Sequence, residues 1–386
     1  MNGSDYKNFL SACKKAIGGE VNLQSHQDDS DVIASEVFRN KEYVKKVAAD
    51  IRNKFLNSID YNLITFDKNF ASNGGVINWC IDYNDFLVKL DKVLQYKKIK
   101  KVNLFSSYLS KELGIERFID KNEYSYDSES NDCVIFTPQF GIVSTGSLFL
   151  NFNSAYDMQL VLGSKLKIFV LSICDFLFKP EEIEIFSHLY SIYSSGINFP
   201  YLTSLYTPSP ADQSTDALLF LIDNGRSNVI ENSDIRKILT CISCDACKDV
   251  CPIYKVIGDE PYNNVFTGPV ANVILPFMEN AENYKHLCFS CSSCGNCSAV
   301  CPVKIPVSEL IIANRKYLFD NKLMDIKDER TVNSVSKFVN SRKKMSAKRW
   351  AKNLRLKSIN NSRIAEEYKF EKSSFNQQYI QMKYGK

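Results

Sequence analysis

Two copies of one cysteine spacing constrain this sequence more than any other feature. Cys241-x2-Cys244-x2-Cys247-x3-Cys251-Pro252 is followed by Cys291-x2-Cys294-x2-Cys297-x3-Cys301-Pro302. Each copy has the bacterial ferredoxin spacing. Three closely spaced thiolates take three corners of one iron–sulfur cubane, and the fourth cysteine, just before proline, ligates the other cluster. The spacing therefore predicts two [4Fe-4S] clusters with exchanged ligands: Cys241, Cys244, Cys247 with Cys301, and Cys291, Cys294, Cys297 with Cys251. The small residues Ser243, Ala246, Ser293 and Gly295 between the ligands let backbone N–H groups approach the cluster sulfurs. Structural zinc takes four tetrahedral ligands, usually as two CxxC pairs. It has no use for a third cysteine at the same interval or for two Cys-Pro endings. Cys288 also stands three residues before Cys291. A register through Cys288 idles Cys297 or Cys301 and breaks the Cys-Pro ending, so Cys288 is expected not to be a ligand.

Thirteen cysteines suggest disulfides only in a short exported chain. Here the length is 386 residues, and the first fifteen are polar and mixed in charge with no apolar signal core. No apolar run approaches the roughly 18–20 residues of a membrane-spanning helix. A cytoplasmic location is the expectation. Nine of the cysteines crowd into 241–301, while Cys13, Cys80, Cys133 and Cys174 are scattered and read as small buried hydrophobes.

The chain is long enough for two or three domains. Residues 1–58 read as helical. From about residue 60, apolar β-rich runs at 101–106, 132–137, 147–152, 165–173 and 216–222 alternate with helical segments such as 83–95 and 180–193. Near-continuous apolar strands interleaved with helices predict an α/β sheet covered on both faces. The pattern stops after Asn224-Gly225-Arg226, and helical stretches at 307–321 and 331–340 follow the cysteines. The expected division is an N-terminal helical segment (1–58), an α/β domain (59–230), a two-cluster domain (231–322) and a helical basic tail (323–386).

The stretch from Leu221 through Asp223-Asn224-Gly225-Arg226 to Cys241-Ile-Ser-Cys244-Asp-Ala-Cys247 resembles the iron–sulfur subunit family of the bacterial lactate-utilisation system, the LutB family. Cys251-Pro-Ile-Tyr254, Gly268-Pro269, Cys301-Pro-Val-Lys-Ile-Pro306 and Glu309-Leu310 match as well. Upstream, Gly74-Gly75-Val76 and the segment from Phe140 to Ser147 resemble that family's LUD domain. The resemblance implies a NagB/RpiA/CoA-transferase-like α/β fold. It also implies a role as the electron-carrying subunit of a complex that oxidises L-lactate to pyruvate. A partner with CCG domains and a second LUD-domain protein are implied with it. Three departures from the family pattern stand in the α/β part. They are Ser144 before Thr145-Gly146, Phe105-Ser-Ser-Tyr108 in place of a lysine–serine segment, and a shortened 208–216.

Other candidates have two readings each. Thr145, Gly146 and Ser147 open a strand and are compatible with either an anion cradle or a plain turn. Asn224 and Gly225 are a turn signal, and Arg226 reaches either a bound molecule or solvent. The histidines form no cluster, and Walker A and GxGxxG motifs are absent. Residues 302–386 hold 20 Lys/Arg against 8 Asp/Glu, net +12, leaving 28 against 36, net −8, for the rest. Within 342–357, Ala347, Trp350, Ala351 and Leu354 form one apolar helical stripe flanked by cations. Such a helix suits an anionic membrane surface or an acidic partner, or the protein's own surface. No nucleic-acid motif accompanies the charge. The expected function is electron transfer within a lactate-oxidising complex, from a CCG-domain catalytic partner to a respiratory acceptor. The alternative is an adaptor for another dehydrogenase or a heterodisulfide-reductase-like complex.

Overall fold

A computed structural model of the chain describes residues 40–122, 124–126, 132–193, 202–209, 216–324, scattered positions from 330 to 341, and 375–384. The described strands, in chain order, are β1 Val76–Cys80, β2 Lys101–Leu104, β3 Ser125–Tyr126, β4 Cys133–Phe136, β5 Phe140–Ile142, β6 Ser147–Phe152, β7 Leu166–Ser172, β8 Phe176–Leu177, β9 Leu202–Tyr206 and β10 Asp216–Ile222. Six of them make one sheet in the order β1-β10-β7-β4-β2-β3, and every neighbouring pair in it is parallel.

The central strands are apolar throughout because both faces are covered. All seven residues of β7 are buried. Leu166, Ile168 and Val170 join one core with Phe220 and Ile222 of β10, under helices Tyr83–Tyr96, Tyr108–Glu112 and Ile115–Lys121. Phe169 and Leu171 face the other way, with Leu219 and Leu221. This alternation is the period of two expected of a strand between two helical layers. Lys167, inside β7, is tolerated because its ammonium donates to the Ser164 carbonyl at 2.6 Å.

One element departs from the sequence expectation. The 147–152 run does not join the parallel sheet; as β6 it belongs to a second sheet of order β8-β5-β6-β9. It pairs antiparallel with β5 and β9. β6 is nevertheless almost wholly buried, because helix Ala155–Gly163 packs on it as well as on β4. Its apolar run is thus indistinguishable in sequence from that of a central parallel strand.

The second core does not end at the sheet. It runs from helices Lys41–Asn57 and Ile59–Ser72 through β5, β6 and β8 to Ile238, Ile242, Ala271, Leu275 and Ile311 of the cysteine region. The two parts meet closely at Gly225, which has φ of 84°. A Cβ there lies 2.4 Å from the Met278 carbonyl oxygen. Gly225→Ala is expected to destabilise the chain by about 1–3 kcal/mol, from left-handed strain plus a backbone clash. Urea denaturation checks this; an unchanged midpoint overturns the close-approach account.

Candidate iron–sulfur centres

Each cysteine motif folds by the same local device. Cys241 follows a tight turn at Arg236–Thr240, and Cys291 follows the helix Ala281–Ser290. The residue two after each first cysteine is left-handed, Ser243 at φ 55° and Ser293 at φ 57°. The residue after each second cysteine is left-handed too, Asp245 at 60° and Gly295 at 78°. These turns wind the chain so that N–H groups face sulfur. Ser243 donates to Cys241 Sγ at 3.4 Å, and Ser293 donates to Cys291 Sγ at 3.3 Å. Short helices Ala246–Asp249 and Asn296–Val300 then carry Cys247 and Cys297 and pack on one another. After them come Cys251, whose sulfur accepts from Tyr254 N at 3.4 Å, and Cys301, whose sulfur accepts from Ile305 N at 3.3 Å.

The packing of those helices brings the fourth cysteine of each motif to the other motif. Cys241, Cys244, Cys247 and Cys301 line one cavity of about 110 Å³. Cys251, Cys291, Cys294 and Cys297 line a second, of about 20 Å³. Among the described residues no group of three or more His, Cys, Asp or Glu side chains is placed to hold a single metal ion. The two sets of four cysteines, with N–H groups donating to the sulfurs of Cys241, Cys251, Cys291 and Cys301, are compatible with thiolate-bound cubanes. Burial pushes the thiols of Cys241 and Cys247 far up and those of Cys244 and Cys297 to about 11. Metal binding must therefore displace the protons, and the same binding energy stabilises the fold.

Cys288 stands outside both rings. It is buried, and its thiol donates to the Asn272 carbonyl at 3.4 Å. Cys288→Ala is expected to leave the iron content per chain unchanged; a loss of about four irons makes it a ligand. Cys80, Cys133 and Cys174 are buried apart from the rings, and burial pushes each thiol to about 12.

The rings differ in their surroundings. The first sits against the α/β part and is held by side chains from three distant elements. Tyr190 donates to the Ile242 carbonyl, and Tyr108 donates to the carboxylate of Asp245, which also pairs with Lys248 at 3.0 Å. Arg52 donates to the Thr240 carbonyl at 3.3 Å and the Leu239 carbonyl at 3.2 Å. The second ring is held from the helix Val307–Asp320, where Arg315 reaches the Cys288 and Cys291 carbonyls at 2.8 and 2.7 Å. Asn314 on that helix donates to the Asn272 and Val273 carbonyls at 3.0 and 2.9 Å. Cys294 of the second ring is exposed, whereas no cysteine of the first ring is. Arg52, Tyr108, Tyr190, Asn314 and Arg315 had no sequence signal for this role, because each comes from outside the motifs and carries no repeat.

The non-cysteine candidates are not brought together. Arg226 forms a two-pronged pair with Glu112, at 2.9 and 2.8 Å, with both side chains buried. Asn224 also donates to Glu112, at 2.7 Å. Asn224 and Gly225 line a broad groove between the two parts, and Arg226 lines the first cysteine cavity. Thr145, Gly146 and Ser147 line neither. Asn73 donates to the Thr145 carbonyl at 2.8 Å, Gly146 packs on the backbone of Asn69, and Ser147 shares a hydrogen bond with Thr207 at 2.7 Å.

Residues 237–305 match the model of a 4Fe-4S dicluster domain. Over 349 residues the chain is 24% identical to lactate utilization protein B of Macrococcus caseolyticus, covering 73% of each protein. Over 355 residues it is 22% identical to lactate utilization protein B of Bacillus subtilis, covering 75% of this chain and 74% of that one. This chain is a homologue of the lactate utilization B proteins. Identity rises to 41% over 104 residues against the protein of that name from an Exiguobacterium species, covering 27% of this chain and 22% of that one. A crystal structure of a DUF162 family protein from Deinococcus radiodurans aligns over 43% of this chain and 98% of its own, at 13% identity and a TM-score of 0.32. The chain is an iron–sulfur protein whose α/β part with a parallel sheet precedes a helical 4Fe-4S dicluster region. No helix among the described residues is long and apolar enough to cross a membrane. The basic stripe of 342–357 lies outside the described residues.

Proposed function

We propose that this chain is the electron-transfer subunit of an L-lactate-oxidising complex and carries two [4Fe-4S] clusters. Cys241, Cys244, Cys247 and Cys301 hold the first, and Cys291, Cys294, Cys297 and Cys251 the second. The observation that carries this reading is that the eight cysteines fall into two fours around two cavities, with N–H donors aimed at the sulfurs. Bound cubanes supply one-electron carriers, with potentials set by hydrogen bonds and burial. The chain's own part is to hold them side by side through exchanged ligands, one buried against the α/β part and one with an exposed cysteine. Electrons enter from a catalytic CCG-domain partner and leave toward a respiratory acceptor. The lactate assignment is supported by the names of the relatives over about three quarters of the chain. The α/β part, 59–230, serves as a docking and supporting module for 231–322.

Anaerobic purification with iron and sulfide counts, plus EPR of the reduced protein, tests the reading. About eight of each and the spectrum of interacting centres are expected of two cubanes. Stoichiometric zinc without acid-labile sulfide sinks it. The complex is tested separately. Lactate should reduce the clusters only when the CCG-domain protein is present. Reduction by lactate of the chain alone overturns the subunit assignment.

A further inference from the structure

A helix outside the cysteine region carries a buried charge that reaches into it. Arg52, on the helix Lys41–Asn57, is 1% exposed. Its guanidinium makes four hydrogen bonds, all to backbone carbonyls: Phe176 at 2.8 Å, Cys174 at 2.7 Å, Leu239 at 3.2 Å and Thr240 at 3.3 Å. Cys174 follows β7 at the carboxyl edge of the parallel sheet, and Phe176 opens β8 of the second sheet. Leu239 and Thr240 are the two residues that lead into Cys241. A single side chain therefore ties the sheet edge to the start of the first ring.

Geometry alone does not explain an arginine. Burying a cation away from water is costly unless an anion stands nearby, and none of the four acceptors is charged. The acid that senses Arg52 is Asp175, which lines the first cavity. Burial pushes its carboxyl up, and Arg52 and Arg226 pull it back. Arg226 already has Glu112 as its partner. A cubane held by four thiolates is an anion and would stand in the cavity beside that acid. The same helix presents a second buried cation seven residues, or two turns, earlier: Lys45 is 8% exposed. Glu42, at the start of the helix, pairs with Lys304 at 3.0 Å, three residues after Cys301. The helix thus reaches both ends of the cysteine region where the first ring closes.

We propose that Arg52 is a positioning residue for the first cluster, fixing the segment that leads into Cys241 and holding a buried positive charge that favours the reduced cluster. This rests on the reading that Cys241, Cys244, Cys247 and Cys301 hold a cubane. It assigns the helix Lys41–Asn57, whose Arg52 lies 188 residues from its contact at Thr240, to the electron-transfer site.

The test is an EPR-monitored redox titration of the full chain and of Arg52→Gln and Arg52→Lys, all purified anaerobically. The first cluster's step is identified as the one lost in Cys244→Ala. In Arg52→Gln that step is expected to fall by about 60 mV or more, a tenfold change in the reduction equilibrium at about 59 mV per decade for one electron. The second step should stay in place. Arg52→Lys keeps the charge with fewer donors and is expected to restore most of the shift. An unmoved first step in Arg52→Gln, or an equal fall of both steps, overturns the proposal. If Arg52→Gln holds no first cluster, Arg52→Lys decides. Recovery of the cluster at the parent potential supports the proposal, and failure to recover it overturns the role of charge. A parent chain with zinc and no sulfide defeats the cluster reading itself, whereas a parent with both clusters and an indifferent Arg52→Gln defeats this inference alone.

Discussion

A chain with Cys244→Ala and Cys251→Ala together is expected to hold no intact cubane, while one with Cys251→Ala and Cys294→Ala should keep about four irons. The pairings follow from the two cavities. Cys251 lines the one formed by Cys291, Cys294 and Cys297, and Cys301 lines the one formed by Cys241, Cys244 and Cys247. Removing Cys244 and Cys251 therefore damages both rings, although the two residues belong to one sequence motif. Removing Cys251 and Cys294 damages only one, although they come from different motifs. If each motif instead closed on its own fourth cysteine, the outcomes would be reversed. Iron and acid-labile sulfide counts on anaerobically purified protein separate the two arrangements. EPR adds a second readout, because the surviving single cluster should lose the broadening that two nearby paramagnets impose on each other.

Replacing Glu112 with alanine is expected to lower the stability of the chain by about 3–5 kcal/mol, the usual cost of stranding one partner of a buried ion pair. Arg226 and Glu112 keep only 7% and 8% of their side-chain surface exposed. Without the carboxylate, the guanidinium retains one carbonyl bond, to Asp223 at 3.0 Å, and has the Phe266 ring at 5.9 Å. Asn224 loses an acceptor at the same time. Urea or guanidinium unfolding of the full chain measures the effect. A change below about 1 kcal/mol would place this pair with ordinary surface salt bridges and refute its structural role. The pair sits where the α/β part gives way to the cysteine region, so the loss should also reduce cluster retention on dilution.

The sequence was most readable where chemistry is local. The 216–222 run is β10 to the residue, and the helix expected at 83–95 spans Tyr83–Tyr96, headed by Asp82, whose side chain accepts from Asp85 N at 2.8 Å. Apolar runs between helices mark central strands because both faces are buried, and that rule holds for β4, β7 and β10. It fails at the margins. β1 reads Val-Ile-Asn-Trp-Cys, and β9 reads Leu-Thr-Ser-Leu-Tyr. Both lie at sheet edges, where half-exposed residues dilute the apolar signal. It also fails for β6, whose burial comes from a different sheet. In the site, the cysteines were legible because their spacing is fixed by the size of the object they surround. Arg52, Tyr108 and Tyr190 were not, since their contacts depend on how distant segments pack. Arg226 was singled out for its setting after a turn, but its partner, Glu112, comes from another helix.

The proposed exchange of fourth ligands bears on how the protein is made. A ribosome that has released residues through Cys251 has made four cysteines in ferredoxin order but no finished ring. The second ring is complete only when Cys297 emerges, and the first only when Cys301 does, four residues later. In that pairing both ligand sets are completed almost together, near the end of the region, with the whole α/β part already synthesised. A nascent or truncated chain ending before Cys297 offers iron no complete thiolate cage.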